Sequence, residues 1–214
     1  MRSPATLLLA AAISLTSAGA APAAEIIDRV LAAVGGQIIT LSDVRTALRF
    51  GLVPPDVSED PVAAALQRLI DRTLMQTEVE RYVPPEPDPA AVDAGVAAVR
   101  ARFADAAAFD AVLKETAMSH DELRRHVRDT LRLEVYLQQR FGTLADPSDD
   151  EVMRYYRENS AEFTVDGRVR PFEQVRETAR ATLTERSREA FLREWVEGLR
   201  RRSNVVVLYL PAAR

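Results

Sequence analysis

The 214-residue sequence contains no cysteine, two histidines, one tryptophan and 6% aromatic residues. Without cysteine it has no disulfide staple, thiolate nucleophile or thiolate metal site, so packing alone must hold the fold. His120 and His126 lie six residues apart in one helical segment. They therefore point about 240° apart and cannot share a metal ion or act as a paired acid and base. Lys114 is the only lysine, every other basic residue being arginine, and the formal net charge is −4. A mildly acidic chain with dispersed charges argues against nucleic acid, which needs a basic face to neutralise phosphates. Gly35-Gly36 lacks the glycine pattern and the Lys-Ser/Thr pair of a phosphate loop, so no ATP site is visible. Asp149, Asp150 and Glu151 read as the acidic first turn of a helix, stabilised by its dipole, and Arg200–Arg202 as cations at a helix C-terminus. Ser42-Asp43 reads as a cap. No catalytic residue, cofactor or metal ligand is assigned, and the sequence does not read as an enzyme.

What is present is strongly punctuated. Arg2 precedes an apolar core over residues 7–15, and small residues then lead to Ala21-Pro22-Ala23. That is the pattern of a secretory signal peptide over residues 1–23, with cleavage near Ala23, and its apolar run is too short to span a bilayer. No later run is long enough either, so no membrane segment is expected after cleavage. Residues 26–34 and 37–41 read as strands joined at Gly35-Gly36 into a hairpin. Ser42 is the expected N-cap of a short helix running to Phe50, with Gly51 at its C′ position.

Helices fill most of the rest. Asp60-Pro61 and Asp88-Pro89 each give an N-cap followed by proline at N1. The first of these helices runs to about Tyr82, with Leu66, Leu69, Ile70 and Leu74 at helical spacing. The second carries Val92, Val96, Val99 and Phe103. A shorter helix covers residues 106–116. Ser119–Glu122 and Ser148–Glu151 have capping-box spacing and open two more helices. The longest pattern runs over residues 172–201, and residues 205–210 form a strand run that needs a partner. The spacing therefore predicts a mainly α-helical fold with a small β-sheet, formed by the N-terminal hairpin and the C-terminal strand.

Four stretches together resemble one family, the SurA-like periplasmic chaperones and the related parvulin-type chaperone–isomerases. They are IIDRVLAAVGGQIITLSDV, MSHDELRRHVRDTLRLEVYLQQRF, PSDDEVMRYYRENSAEF and REAFLREWVEGLRRRSNVVVL. The resemblance implies a SurA-like N-terminal chaperone region over residues 24–163, completed in the same domain by residues 171–214. Between them, isomerase-active members insert a parvulin domain of roughly a hundred residues, an ordinary domain size. Here only residues 164–170 are present, a short connector with an Asp166-Gly167 turn signal. The implied function is a periplasmic, ATP-independent holdase without isomerase activity. Its implied partners are unfolded polypeptides, outer-membrane or secreted proteins. The alternative is a structural or adaptor protein with one dedicated envelope partner, and a prolyl isomerase ranks below both. The oligomeric state is not set by the sequence.

A holdase site must take many sequences weakly, which calls for an apolar cleft with adaptable side chains. Phe50, Tyr82, Phe103, Phe109 and Met118 are the candidate peptide-binding residues. A core stripe has the same periodicity as a groove, and each of the five fits either reading.

Overall fold

The computed structural model describes residues 28–54, 59–142 and 146–209. The expected signal peptide and Leu210, at the end of the last apolar run, lie outside the described residues. Strands β1 (Val30–Val34) and β2 (Gln37–Thr40) form an antiparallel hairpin. It turns at Gly35 and Gly36, whose φ values of +55° and +92° suit glycine. Helix α1 (Leu41–Arg49) follows with no loop between. Thr40 is thus both the last strand residue and the cap: its hydroxyl accepts the Asp43 amide at 3.2 Å, and the Asp43 carboxylate accepts the Thr40 amide at 2.8 Å. The sequence places this cap at Ser42. The structure moves it two residues earlier because Thr40 is still extended, at φ −104° and ψ 170°. Ser42 lies within the first turn, where its amide donates to Asp28 Oδ1 at 3.3 Å.

Helices α2 (Pro61–Tyr82) and α3 (Pro89–Arg100) start as expected, with Asp60 and Asp88 accepting the amides of Ala63 and Ala90. α3 ends before Phe103, although Phe103 still packs against the same apolar cluster as Val92 and Val99. Next come α4 (Ala106–Thr116), α5 (His120–Phe141) and α6 (Asp149–Glu158). Both expected capping boxes form, on α5 and α6. The connector is a two-stranded hairpin, β3 (Thr164–Val165) and β4 (Arg168–Val169), turned at Asp166 and Gly167. Helix α7 (Phe172–Arg202) then runs 31 residues, about 46 Å at 1.5 Å per residue.

Strand β5 (Val205–Val207) pairs antiparallel with β1, giving the order β2-β1-β5. The N-terminal hairpin and the C-terminal strand therefore meet in one sheet, as their lack of other partners requires. Three apolar clusters result. The first joins the sheet to α2 and the C-terminal ends of α5 and α7, through Leu31, Leu66, Ile70, Leu133, Trp195 and Leu199. The second joins α3, α4 and the start of α5 to Phe50. The third joins α6 and the start of α7 through Val152, Tyr155, Phe163, Val175 and Ala179. α5 thus bridges the first two clusters, and α7 bridges the first and third.

Candidate functional site

The five candidate side chains do not share one surface. Phe50 and Phe109 are each 1% exposed. With Phe103 they form an edge-to-face trio, with centroids 5.4 to 6.0 Å apart, inside the second cluster. Arg102 holds this arrangement from outside by donating to the carbonyls of Phe50 and Gly51. Met118 is half-buried against the same cluster and lines a cavity of about 380 Å³. Tyr82 lies elsewhere, 60% exposed at the end of α2, with its ring 5.4 Å from that of Tyr136.

Much of the open space gathers around two other residues, Leu52 and Arg72, while two further cavities of about 300 and 290 Å³ lie between α6 and α7 and beside α3 and α5. Three adjoining cavities of about 590, 380 and 240 Å³ all include both of them. Leu52 owes its position to Gly51, whose φ of +61° turns the chain out of α1 so that the Leu52 amide reaches the Ala47 carbonyl at 2.8 Å. It then packs against both the first and the second clusters. The largest cavity has an apolar floor of Leu52, Val53, Met75, Leu133, Leu192 and Val196. Its size falls within the range of about 300–1,000 Å³ typical of ligand clefts. Met75 adds an unbranched, polarisable side chain that adapts to varied shapes.

Arg72 lines all three cavities. Its Nη2 donates to Thr130 Oγ1 at 2.7 Å and to the His126 carbonyl at 3.2 Å, tying α2 to α5 across the cleft. Burial lowers the Arg72 pKa, against the pull of Asp129 and Glu134. His126 is half-buried rather than at the surface, and its pKa is pushed down to about 4. Burial is the main cause, repulsion from Arg72 adds to it, and Asp129 opposes it. The imidazole is therefore neutral at pH 7. On the far side of the cleft, Arg200 Nε meets Asp71 Oδ1 at 2.6 Å and joins α7 to α2. The arginines that follow it face carboxylates as well, Arg201 that of Glu197 and Arg202 that of Glu78.

Among the described residues no group of three or more His, Cys, Asp or Glu is placed to hold a metal ion. No helix among them is long and apolar enough to cross a membrane. The cleft offers burial, a few hydrogen-bonding groups and a charged rim. The floor residues Leu52, Met75, Leu192 and Val196 were not singled out from sequence; the last three sit one step around their helices from Leu74, Phe191 and Trp195, and Leu52 lies in the turn after α1.

Comparison with solved structures gives this arrangement a counterpart. A chain from Campylobacter jejuni superposes with a TM-score of 0.55 at 13% identity, covering 86% of this chain and 100% of its own. It comes from the pair PEB4, a virulence factor, and Cj1289, a periplasmic protein, described as two structurally related SurA-like chaperones. The fold is that of the SurA-like chaperones. No protein-family model matches the sequence, and no curated protein matches it. At 13% identity the SurA-like order of elements is retained with few of the residues.

Proposed function

We propose that this protein is a periplasmic, ATP-independent holdase that shields unfolded outer-membrane or secreted proteins in the cleft around Leu52 and Arg72. The observation that carries the reading is the apolar floor of the largest cavity, open at the surface beneath a charged rim. Its apolar residues belong to the first cluster, and among them only Leu52 also packs against the second. Burying one large apolar side chain contributes about 1.5–3 kcal/mol, and ordering the segment offsets part of that. Each engagement is therefore weak, and release follows when the client finds its own fold. On this reading residues 1–23 direct export and are removed near Ala23, and residues 24–163 and 171–214 make one chaperone body. The seven-residue connector stands where active relatives carry an isomerase domain, so no isomerase activity is expected.

The test is light scattering of a denatured outer-membrane β-barrel protein diluted into buffer with the purified mature chain and no ATP. Suppression at near-stoichiometric amounts is expected, and Leu192→Asp, which puts a charge on the cleft floor, should abolish it. If neither that client nor an unrelated unfolded protein is protected, the reading fails, and a pull-down yielding one stoichiometric envelope protein would then make a dedicated adaptor the better account. In a proline tetrapeptide assay the chain should show no rate above background.

A further inference from the structure

We infer that the outer edge of β5 captures client chain as an added strand, taking extended, uncharged, β-prone segments through their backbone. The inference rests on the holdase reading and names how a client continues beyond the cleft. Topology supplies the first observation. In the order β2-β1-β5 the last strand is an edge, and among the described residues no strand lies beyond it. The register fixes what that edge presents. The Asn204 carbonyl accepts the Gly35 amide at 2.9 Å, and the Leu208 amide donates to the Leu31 carbonyl at 2.8 Å. Residues 204, 206 and 208 therefore turn their backbone groups toward β1. In an antiparallel ladder the residues between them face the other way, so the amides and carbonyls of Val205 and Val207 lie on the open side.

Edges are ordinarily guarded by a charge, a proline or a bulge. From Ser203 to Tyr209 the chain carries neither a charged residue nor a proline. The edge is also held at its far end, where the Tyr209 hydroxyl donates to Asp60 Oδ2 at 2.8 Å. A fixed template of this kind leaves the ordering cost of strand addition mainly to the incoming segment. The side chains add apolar surface. Val205 packs toward the first cluster, so Val206 lies on the opposite face, in one cross-strand row with Ala33 and Ile38. Val206 is 44% exposed, and Leu208, on the same face, is 52% exposed. Ile38 is exposed too and lines the 380 Å³ cavity beside Leu52 and Arg72. The row thus joins the cleft to the open edge across two interstrand spacings, about 10 Å. That continuity assigns the edge to the client segment that leaves the cleft. A second copy fits less well, because a β5–β5 pair would engage three strand residues from each molecule, against roughly 20–30 a side in a stable interface.

The experiment uses the full mature chain and a short, dye-labelled, end-blocked peptide of alternating Val and Thr. With the peptide at about ten times its Kd, amide exchange read by NMR should slow about tenfold at Val205 and Val207, since only the free fraction exchanges. A segment held only in the cleft would leave both amides unchanged. Val207→Pro deletes an outward amide and leaves the β1 ladder its bonds. It should weaken the peptide about tenfold in fluorescence anisotropy, with circular dichroism checking the fold. Where that variant does not fold, exchange in the wild type decides alone. If aggregation is still suppressed but the peptide does not bind, or binds with both amides unprotected, edge capture is overturned and the holdase reading stands. Absence of both peptide binding and aggregation suppression would overturn both. Protection of the same amides without peptide, together with a dimer in sedimentation, would assign the edge to self-pairing, and the inference would fall.

Discussion

His126 permits a quantitative test of how the cleft is held. Its imidazole is half-buried on α5, beside the guanidinium that ties α2 to α5. Burial first and Arg72 second lower its pKa from 6.5 to about 4. The sign follows from which state binds the proton more readily. The unfolded chain takes it near pH 6.5, and the folded chain resists until about pH 4. Neutral His126 therefore contributes stability that is fully present above pH 6.5 and is lost as the pH falls toward 4. The whole difference corresponds to about 3 kcal/mol, of which about 2 kcal/mol is lost between pH 7.5 and 5.0. For a chain of this size that is a fall in melting temperature of about 4–8 °C.

The comparison that isolates this contribution is His126→Gln, which fills similar space and does not titrate. Wild type and variant are unfolded thermally and in urea at pH 7.5, 6.5, 5.5 and 5.0. Carboxylates whose pKa is held low by caps and arginines, such as Glu122, Asp149 and Glu151, contribute stability that is present above their unfolded values. They lose it only below about pH 4.5, outside the chosen window. The wild type should weaken relative to the variant by about 2 kcal/mol across the window. Parallel curves would refute the reasoning, because they would mean that the imidazole is solvated in the folded state and not held beside Arg72.

Gly95 lies where α3 crosses α5, and a Cβ there would sit 2.5 Å from Val127 Cγ1. Gly95→Ala should destabilise by about 1–3 kcal/mol despite alanine's higher helix propensity, and a second change, Val127→Ala, should recover part of the loss in urea titrations. Phe109→Ala removes the centre of the aromatic trio and should cost about 3–5 kcal/mol, read from the same titrations. Thr40→Ala deletes a cap and should cost about 1 kcal/mol, whereas Ser42→Ala should cost no more than a few tenths. Equal effects at the two positions would mean that the helix starts at Ser42 after all.

The helix starts were legible because their chemistry is local. An Asp-Pro pair or a Ser-x-x-Glu box is complete within four residues, and four of the helices begin at such signals. Helix α4 is capped by Asp105, whose side chain accepts the Ala108 amide, a cap that the sequence reading did not name. The Thr40 cap was missed because a threonine ending a β-prone run scores as strand, and nothing local says that the chain turns helical without a loop. That the C-terminal strand joins the N-terminal hairpin followed by elimination, and the structure adds that it pairs with β1. The cleft was not legible, and α2 shows why. Leu66, Ile70 and Leu74 are core, while Leu69, Arg72 and Met75 line cavities. The two sets interleave on one helix, and only the placement of α5 and α7 decides which faces a gap. Phe50 and Phe109 sharpen the point, since they are buried by closing on each other in a 78° edge contact that no spacing rule contains.

The cleft exists because two apolar clusters that share Leu52 stop short of fusing. Fusion would remove more apolar surface from water, at about 25 cal/mol per Å², so stability alone favours closing the gap. Arg72 stands against that closure. A leucine at its place on α2 would meet α5 apolar to apolar, whereas the guanidinium spans to Thr130 and His126 and keeps the helices apart at a cost in desolvation. The lowered pKa of His126 owes most to burial, and the immobile cation beside it adds to the effect by disfavouring the charged imidazole. The held-open space and part of the histidine's shift therefore trace to one arginine placed between two cores. A segment that enters the cleft supplies the apolar contacts that the two clusters do not make with each other.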